Sequence, residues 1–166
     1  MANLFKTLFT GDSVDSENEK TKAEEKNFEL FKYDGMRAER IGQLDYAIKC
    51  YTEALAIKED FETLSYLAKV YINQDELAEA RKTLHQMIAI DPNVASTHLT
   101  LANVNYTTEH YQLTIDNCLD VLRINNEDTA AYLLLAKGNH AMNDDINAII
   151  NLTEAIKIKN DFTEAY

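Results

Sequence analysis

The sequence predicts an all-α protein, a solenoid of stacked helix–turn–helix units, on three observations. Gly and Pro are scarce, at four and one in 166 residues, too little turn punctuation for the many short strands of a sandwich or barrel. Apolar residues step by three and four, as in Leu64, Leu67, Ala68 and Tyr71, the period of an amphipathic helix. A string of two mostly apolar residues, a variable one and isoleucine also recurs. It appears as Ala54-Leu55-Ala56-Ile57, Met87-Ile88-Ala89-Ile90, Val121-Leu122-Arg123-Ile124 and Ala155-Ile156-Lys157-Ile158, with the isoleucines 33, 34 and 34 residues apart. Self-similarity at such a period marks a repeat architecture, in which each unit buries its apolar face only by stacking on the next.

Each element follows from this register. A polar cluster ends each unit: Lys58-Glu59-Asp60, Asp91-Pro92-Asn93, Asn125-Asn126-Glu127 and Lys159-Asn160-Asp161. Ten residues before each isoleucine stands a small residue (Ala47, Ala80, Thr114, Ala148), and four after that a larger one (Tyr51, Leu84, Cys118, Leu152). Helix pairs are expected at 26–40 and 44–57, 61–73 and 77–90, 95–107 and 111–124, and 129–141 and 145–158. The units run 28–60, 61–94, 95–128 and 129–162.

These residues resemble the tetratricopeptide repeat, a 34-residue unit with the pattern W-x2-L-G-x2-Y, A-x3-F, P. The second unit matches best, with Leu64-x2-Leu67-Ala68-x2-Tyr71, Ala80-x3-Leu84 and Pro92. The fourth gives Tyr132-x2-Leu135-Ala136 and Ala148-x3-Leu152, and the first gives Gly35 and Ala47-x3-Tyr51, with Asp34 out of pattern. In the third, His98, Asn105 and Thr114 depart from it. The resemblance implies a right-handed α-solenoid and a non-catalytic protein-binding scaffold. Pentatricopeptide units have a similar length but need a basic face for RNA phosphates, and a coiled coil is broken by the polar turns.

Charge narrows the partners. The chain carries 28 Asp and Glu against 16 Lys and Arg, a formal −12, which opposes nucleic-acid phosphates and excludes them as a partner. No segment reaches the 18 apolar residues that would span a bilayer, and Met1 to Phe9 lacks a signal-peptide core. Cys50 and Cys118 have no CxxC spacing, which fits a reduced, cytoplasmic protein.

No catalytic, metal or cofactor constellation is expected. The histidines His85, His98, His110 and His140 form no HExxH pair, and no Walker, GxSxG or GxGxxG string occurs. His98 reads as a packed core histidine, and His85 and His110 as solvent-facing. Asp116 and Asp120 lie one turn apart and read as a solvated face rather than an acid/base pair. Asp144-Asp145 reads as a helix start.

The resemblance places ligand contacts on the first helix of each unit, facing an inner groove. The groove residues singled out are Lys32, Met36 and Arg40; Ser65, Lys69, Ile72 and Asn73; Leu99, Asn103 and Tyr106; and Leu133, Lys137 and His140. The twenty groove positions hold four bases (Lys32, Arg40, Lys69, Lys137) against three acids (Glu29, Glu39, Glu62), on a chain that is otherwise strongly negative. A protein or peptide with apolar and acidic groups is the expected partner. Some family members grip a C-terminal carboxylate. Lys32 matches the opening Lys of that clamp, but Met36 replaces its Asn and Thr100 its Arg, so that activity is not assigned.

The ends carry three expectations. Residues 1–27 are an apolar segment (Leu4, Phe5, Leu8, Phe9) and a polar stretch, 10–25, that is a linker or the frayed start of the first helix. The stripe is expected to dock on protein rather than membrane, since Lys6 is its only cation. Residues 163–166 begin a fifth helix or cap, and helix 145–158 presents Ile149, Leu152 and Ile156 uncovered. Either the array continues beyond this sequence or another chain caps it, which offers self-association through the C-terminal end or the N-terminal apolar segment.

Overall fold

The computed structural model describes residues 4–164, and side chains from 18 to 159. Eight α-helices and no strand occur among the described residues. They are α1 (Leu4–Arg40), α2 (Leu44–Ile57), α3 (Phe61–Asn73), α4 (Leu77–Ile90), α5 (Ala95–Thr107), α6 (Tyr111–Ile124), α7 (Thr129–Ala141) and α8 (Asp145–Glu164). The chain divides into two units, Met1–Val70 and Tyr71–Tyr166.

The turn inside each hairpin is built the same way four times. Gly42, Asp75, Glu109 and Asn143 all take positive φ, between 61° and 76°. At each, two backbone amides close the preceding helix end, for example Glu109 N to Tyr106 O at 3.0 Å and His110 N to Asn105 O at 2.8 Å. The wider bond is the Schellman closure of a helix C-terminus. Only one of the four positions is glycine, because the paired amide bonds offset the roughly 1–2 kcal/mol that an L-residue costs there.

Capping side chains govern the turns between hairpins. Asp60 accepts from the Thr63 amide at 2.8 Å and its hydroxyl at 2.6 Å. Asp128 accepts from the Ala131 amide at 2.9 Å. The equivalent position near α5 is Val94, which has no side-chain cap, but Pro92 already prevents α4 from continuing. At the next equivalent position stands Phe162, which can neither cap a helix nor break one. Accordingly α8 runs on to Glu164 instead of ending at 158, and the Lys159-Asn160-Asp161 cluster, expected to end it, is helical.

The other departure is at the start, where α1 begins at Leu4 and residues 10–25 are helix rather than linker. From 12 to 26 the chain has no Pro or Gly and is rich in Glu, Lys and Ala, good helix formers whose Glu19–Lys22 and Lys20–Glu24 spacings favour the helix. One ion pair, Lys58 Nζ to Glu25 Oε1 at 3.0 Å, ties this segment to the end of α2. The side chains of Leu4, Phe5, Leu8 and Phe9 lie outside the described residues.

In the first unit the core is Phe28, Ala38, Ala47, Cys50, Tyr51, Ala54, Leu64, Leu67, Ala68 and Val70. Alanines hold helix contacts close, and Gly35 lies under the Tyr51 ring. In the second unit, Ala102, Cys118, Leu134 and Leu135 form one cluster, joined by partly buried Leu99, Tyr106, Ile115 and Leu122. Here α7 lies across the α5–α6 hairpin, and Gly138 lets it approach Thr114 and Ile115 of α6. As expected, His98 is buried, its Nε2 2.9 Å from Pro92 O.

Candidate interaction surface

In the first unit the expected groove residues do not form a row of free cations. Lys32 is 9% exposed, and its ammonium is held by Glu62 at 2.6 Å and Asp60 at 3.2 Å, joining α1 to the start of α3. Lys32 is therefore a structural tie, a correction to its expected ligand-facing place. Burial works against its charge, but the hydrogen bonds to Glu62 and Asp60 outweigh this and raise its pKa above the ordinary 10.5. Asp60 is likewise opposed by burial, yet the Thr63 hydroxyl and amide, with Lys32, hold it below 3.8.

Lys69 is exposed but engaged, 2.6 Å from Glu39. The other Glu39 oxygen accepts from the Tyr51 hydroxyl at 3.1 Å; burial first, then Glu39, raises the Tyr51 pKa above 10.0. Tyr66 stacks on Tyr51, with ring centroids 5.8 Å apart. Ser65 and Arg40 are exposed and Met36 is half-buried.

In the second unit, Asn73, Asn103, Leu133, Lys137 and His140 are exposed, and Ile72, Leu99 and Tyr106 are half-buried. Leu99 and Tyr106 lend part of their surface to the core cluster, and the Tyr106 ring tilts against Tyr111, centroids 5.6 Å apart. Asn103 bonds back to Leu99 O at 2.9 Å.

Three expected residues, Leu133, Lys137 and His140, come together. With Ala136 of α7 and Asp145, Ala148, Ile149 and Leu152 of α8 they line an apolar cleft of about 470 Å³. Ala136 and Ala148 form no bulk at its floor. At one end His140 Nδ1 meets Asp145 Oδ1 at 2.6 Å. Lys137 makes no ion pair among the described residues. The groove set, drawn from first helices, does not include the α8 wall, although Ile149 and Leu152 are expected to be uncovered. Its signal was present in Ile146, Ile149, Ile150, Leu152 and Ile156, more apolar residues than one packing stripe can bury, and all remain more than 40% exposed.

The carboxylates separate in the same unit. Asp116 is exposed and accepts from Gln112 at 3.0 Å. Asp120 is half-buried, pairs with Arg123 and lies 3.8 Å from His98 Nδ1, so it is a local tie rather than part of a plain solvated face. Asp144 caps α8 through Asn147, whose side-chain and backbone bonds lower its pKa. Among the described residues no group of His, Cys, Asp and Glu could hold a metal ion, and no helix is long and apolar enough to cross a membrane.

Both cysteines are free and buried. Burial, with the Asp128 charge, pushes the Cys118 thiol up to about 12. At pH 8 the native protein should leave Cys118 unlabelled by iodoacetamide while denatured protein labels it fully, as mass spectrometry would read. Rapid labelling in the native state would mean that the α5–α6–α7 cluster opens readily.

The hairpins, the repeated left-handed turns and the alanine-lined contacts define an all-α solenoid of helical repeats. The tetratricopeptide repeat family model matches residues 42–104. A solved structure of MamA protein is similar, with a TM-score of 0.75 and 26% identity over 84% of this chain and 77% of that one. Another MamA crystal structure gives 0.77 at 18% identity over 99% and 98% of the two chains. MamA 41-end from Desulfovibrio magneticus RS-1 gives 0.73 at 17% identity, covering 82% and 78%. No curated protein matches in sequence.

Proposed function

We propose that the chain is a non-catalytic, cytoplasmic scaffold that binds a protein or peptide segment through the exposed face of its first helices. The observation that carries this reading is the convergence of Leu133, Lys137 and His140 on an apolar cleft. An apolar floor beside a cation that has no ion pair among the described residues suits a segment with apolar and acidic groups. Lys69 contributes through the pair it already makes: an acidic ligand would compete with Glu39 for it. Ser65, Asn73, Asn103 and Arg40 offer polar contacts from the same set of positions.

A second reading, a spacer or oligomerisation module with no groove ligand, is favoured by the exposed isoleucines of α8. Capture with the immobilised chain and mass-spectrometric identification, run beside separate Lys69→Glu and Lys137→Glu chains, decides between them. Groove binding predicts loss of the captured partner, by about fivefold or more for a charge reversed at the contact. Recovery unchanged by both substitutions sinks the groove.

A further inference from the structure

We infer that the outward face of α8 is a homodimer interface, on which Ile146 and Ile150 of one chain pack antiparallel against the same stripe of a second copy. The inference goes beyond the groove reading and does not depend on it.

The place of this stripe within the repeat rules out stacking as its cover. Ile146 and Ile150 are 75% and 52% exposed, and the buried Ala148 and Ala155 lie on the opposite side of the helix. The counterparts of the two isoleucines are Asp45 and Lys49 in α2, Ala78 and Lys82 in α4, and Gln112 and Asp116 in α6, and every one of them is exposed. The comparison with α6 decides the point. The α5–α6 hairpin already has α7 packed on it, with Gly138 close to Ile115, and Gln112 and Asp116 still face solvent. A further repeat stacked on α8 would therefore cover Ile149, the counterpart of Ile115, and leave Ile146 and Ile150 bare. Only in α8 are both outward positions isoleucine. A helix that is apolar on its outer as well as its inner side is a helix that is covered on both.

Charge points to the occupant. Asp145 stands at the N-terminal end of the stripe, and Lys157, eleven residues after Ile146, continues it towards the C-terminus. Their side chains are 69% and 66% exposed, and each meets only a neighbour on its own chain: His140 for Asp145, and Glu154 at 3.4 Å for Lys157. Such a stripe, acidic at one end and basic at the other, is complementary to itself when turned end for end, which is what a two-fold interface requires. In that arrangement the Lys157 stem lies along the second copy's Ile146 and its ammonium reaches towards the second copy's Asp145. Opposed helix dipoles favour the same antiparallel pairing, whereas parallel helices would set like ends together.

Sedimentation velocity of the full chain from about 1 to 200 μM spans the range in which a small interface of this kind dissociates. The mass is expected to rise with concentration from one chain towards two. Ile146→Asp together with Ile150→Asp should weaken association at least about tenfold. Both residues are exposed, so the helical circular dichroism of the parent should remain. Leu152→Asp, in the cleft facing α7, should change association by less than about twofold. Asp145→Lys alone and Lys157→Glu alone should each weaken it about threefold or more, and the two combined should restore it. A chain that stays monomeric throughout, a dimer indifferent to the isoleucine pair, or a dimer broken by Leu152→Asp instead overturns the inference. So does a charge swap that fails to restore association, because antiparallel pairing requires that it should. The groove reading is tested separately by the reversals at Lys69 and Lys137, neither of which lies on this stripe.

Discussion

Gly35→Ala should destabilise the first unit by about 2–3 kcal/mol, the cost of overpacking a filled core. A Cβ at this position would fall 2.5 Å from Cε1 and 2.7 Å from Cδ1 of Tyr51. Tyr51 is fully buried, stacks on Tyr66 and donates to Glu39. To move away, its ring would have to give up those contacts together. Gly138→Ala is the control, since the contact there is less tight, 3.1 Å to Cγ1 of the partly buried Ile115. The gain of about 1 kcal/mol in helix propensity offsets that crowding, so Gly138→Ala should change stability by less than about 1 kcal/mol. Urea titrations of the two variants measure the difference, and equal midpoints would refute the close approach of α1 to Tyr51.

Lys32→Met should cost about 2–3 kcal/mol at neutral pH. Removing one partner from a fully buried pair costs roughly 3–5 kcal/mol, and the smaller value reflects Glu62, whose side chain is 60% exposed and remains hydrated. The loss should depend on pH with a definite sign. Asp60 has a lowered pKa, so its part of the stabilisation is present above the ordinary value of 3.8 and is lost as pH falls through the lower folded value. Lys32 has a raised pKa, so its part is complete below 10.5 and is lost as pH rises through the higher folded value. The gap between parent and Lys32→Met should be widest between those limits and narrow in acid, where Asp60 and Glu62 become neutral. A gap that stays constant down to pH 2 would mean that the lysine stem's packing, and not its charge, carries the effect.

These two sites show where reading the chain stops. Gly35 is visible in the repeat pattern as a small residue, yet nothing local says that the ring it must avoid is Tyr51, sixteen residues on. Lys32 reads as a ligand-facing cation because helical periodicity places it off the packing stripe. Its burial depends on Asp60 and Glu62, about thirty residues later, which the stacking of α3 beside α1 brings to it. A charged side chain's surroundings belong to the neighbouring helix, and a single helix's period does not contain them.

The turns were half legible for the same kind of reason. Gly42 and Asn143 are residue types that accept positive φ, but Glu109 is not, and it adopts φ 61° because paired amide bonds close the helix around it. Seven helix starts and seven helix ends follow from apolar period, Pro92 and the capping aspartates, all of which act within a few residues. The two that do not are the start of α1, which continues through the charged stretch 12–26 and past Gly11 to Leu4, and the end of α8, where a charged cluster without Gly or Pro lets the helix run past the register.

The sequence by itself determined the helices, their pairing into repeats of about 34 residues and the apolar excess on α8, because all of these are periodic and short in range. Only the tertiary structure decided which cations remain available. It withdrew Lys32 into an internal ion pair, engaged Lys69 with Glu39, and left Lys137 beside an apolar cleft. Whether a helix-surface charge is free is set by what packs within a few ångströms of it, and in a stacked array that neighbour comes from another repeat.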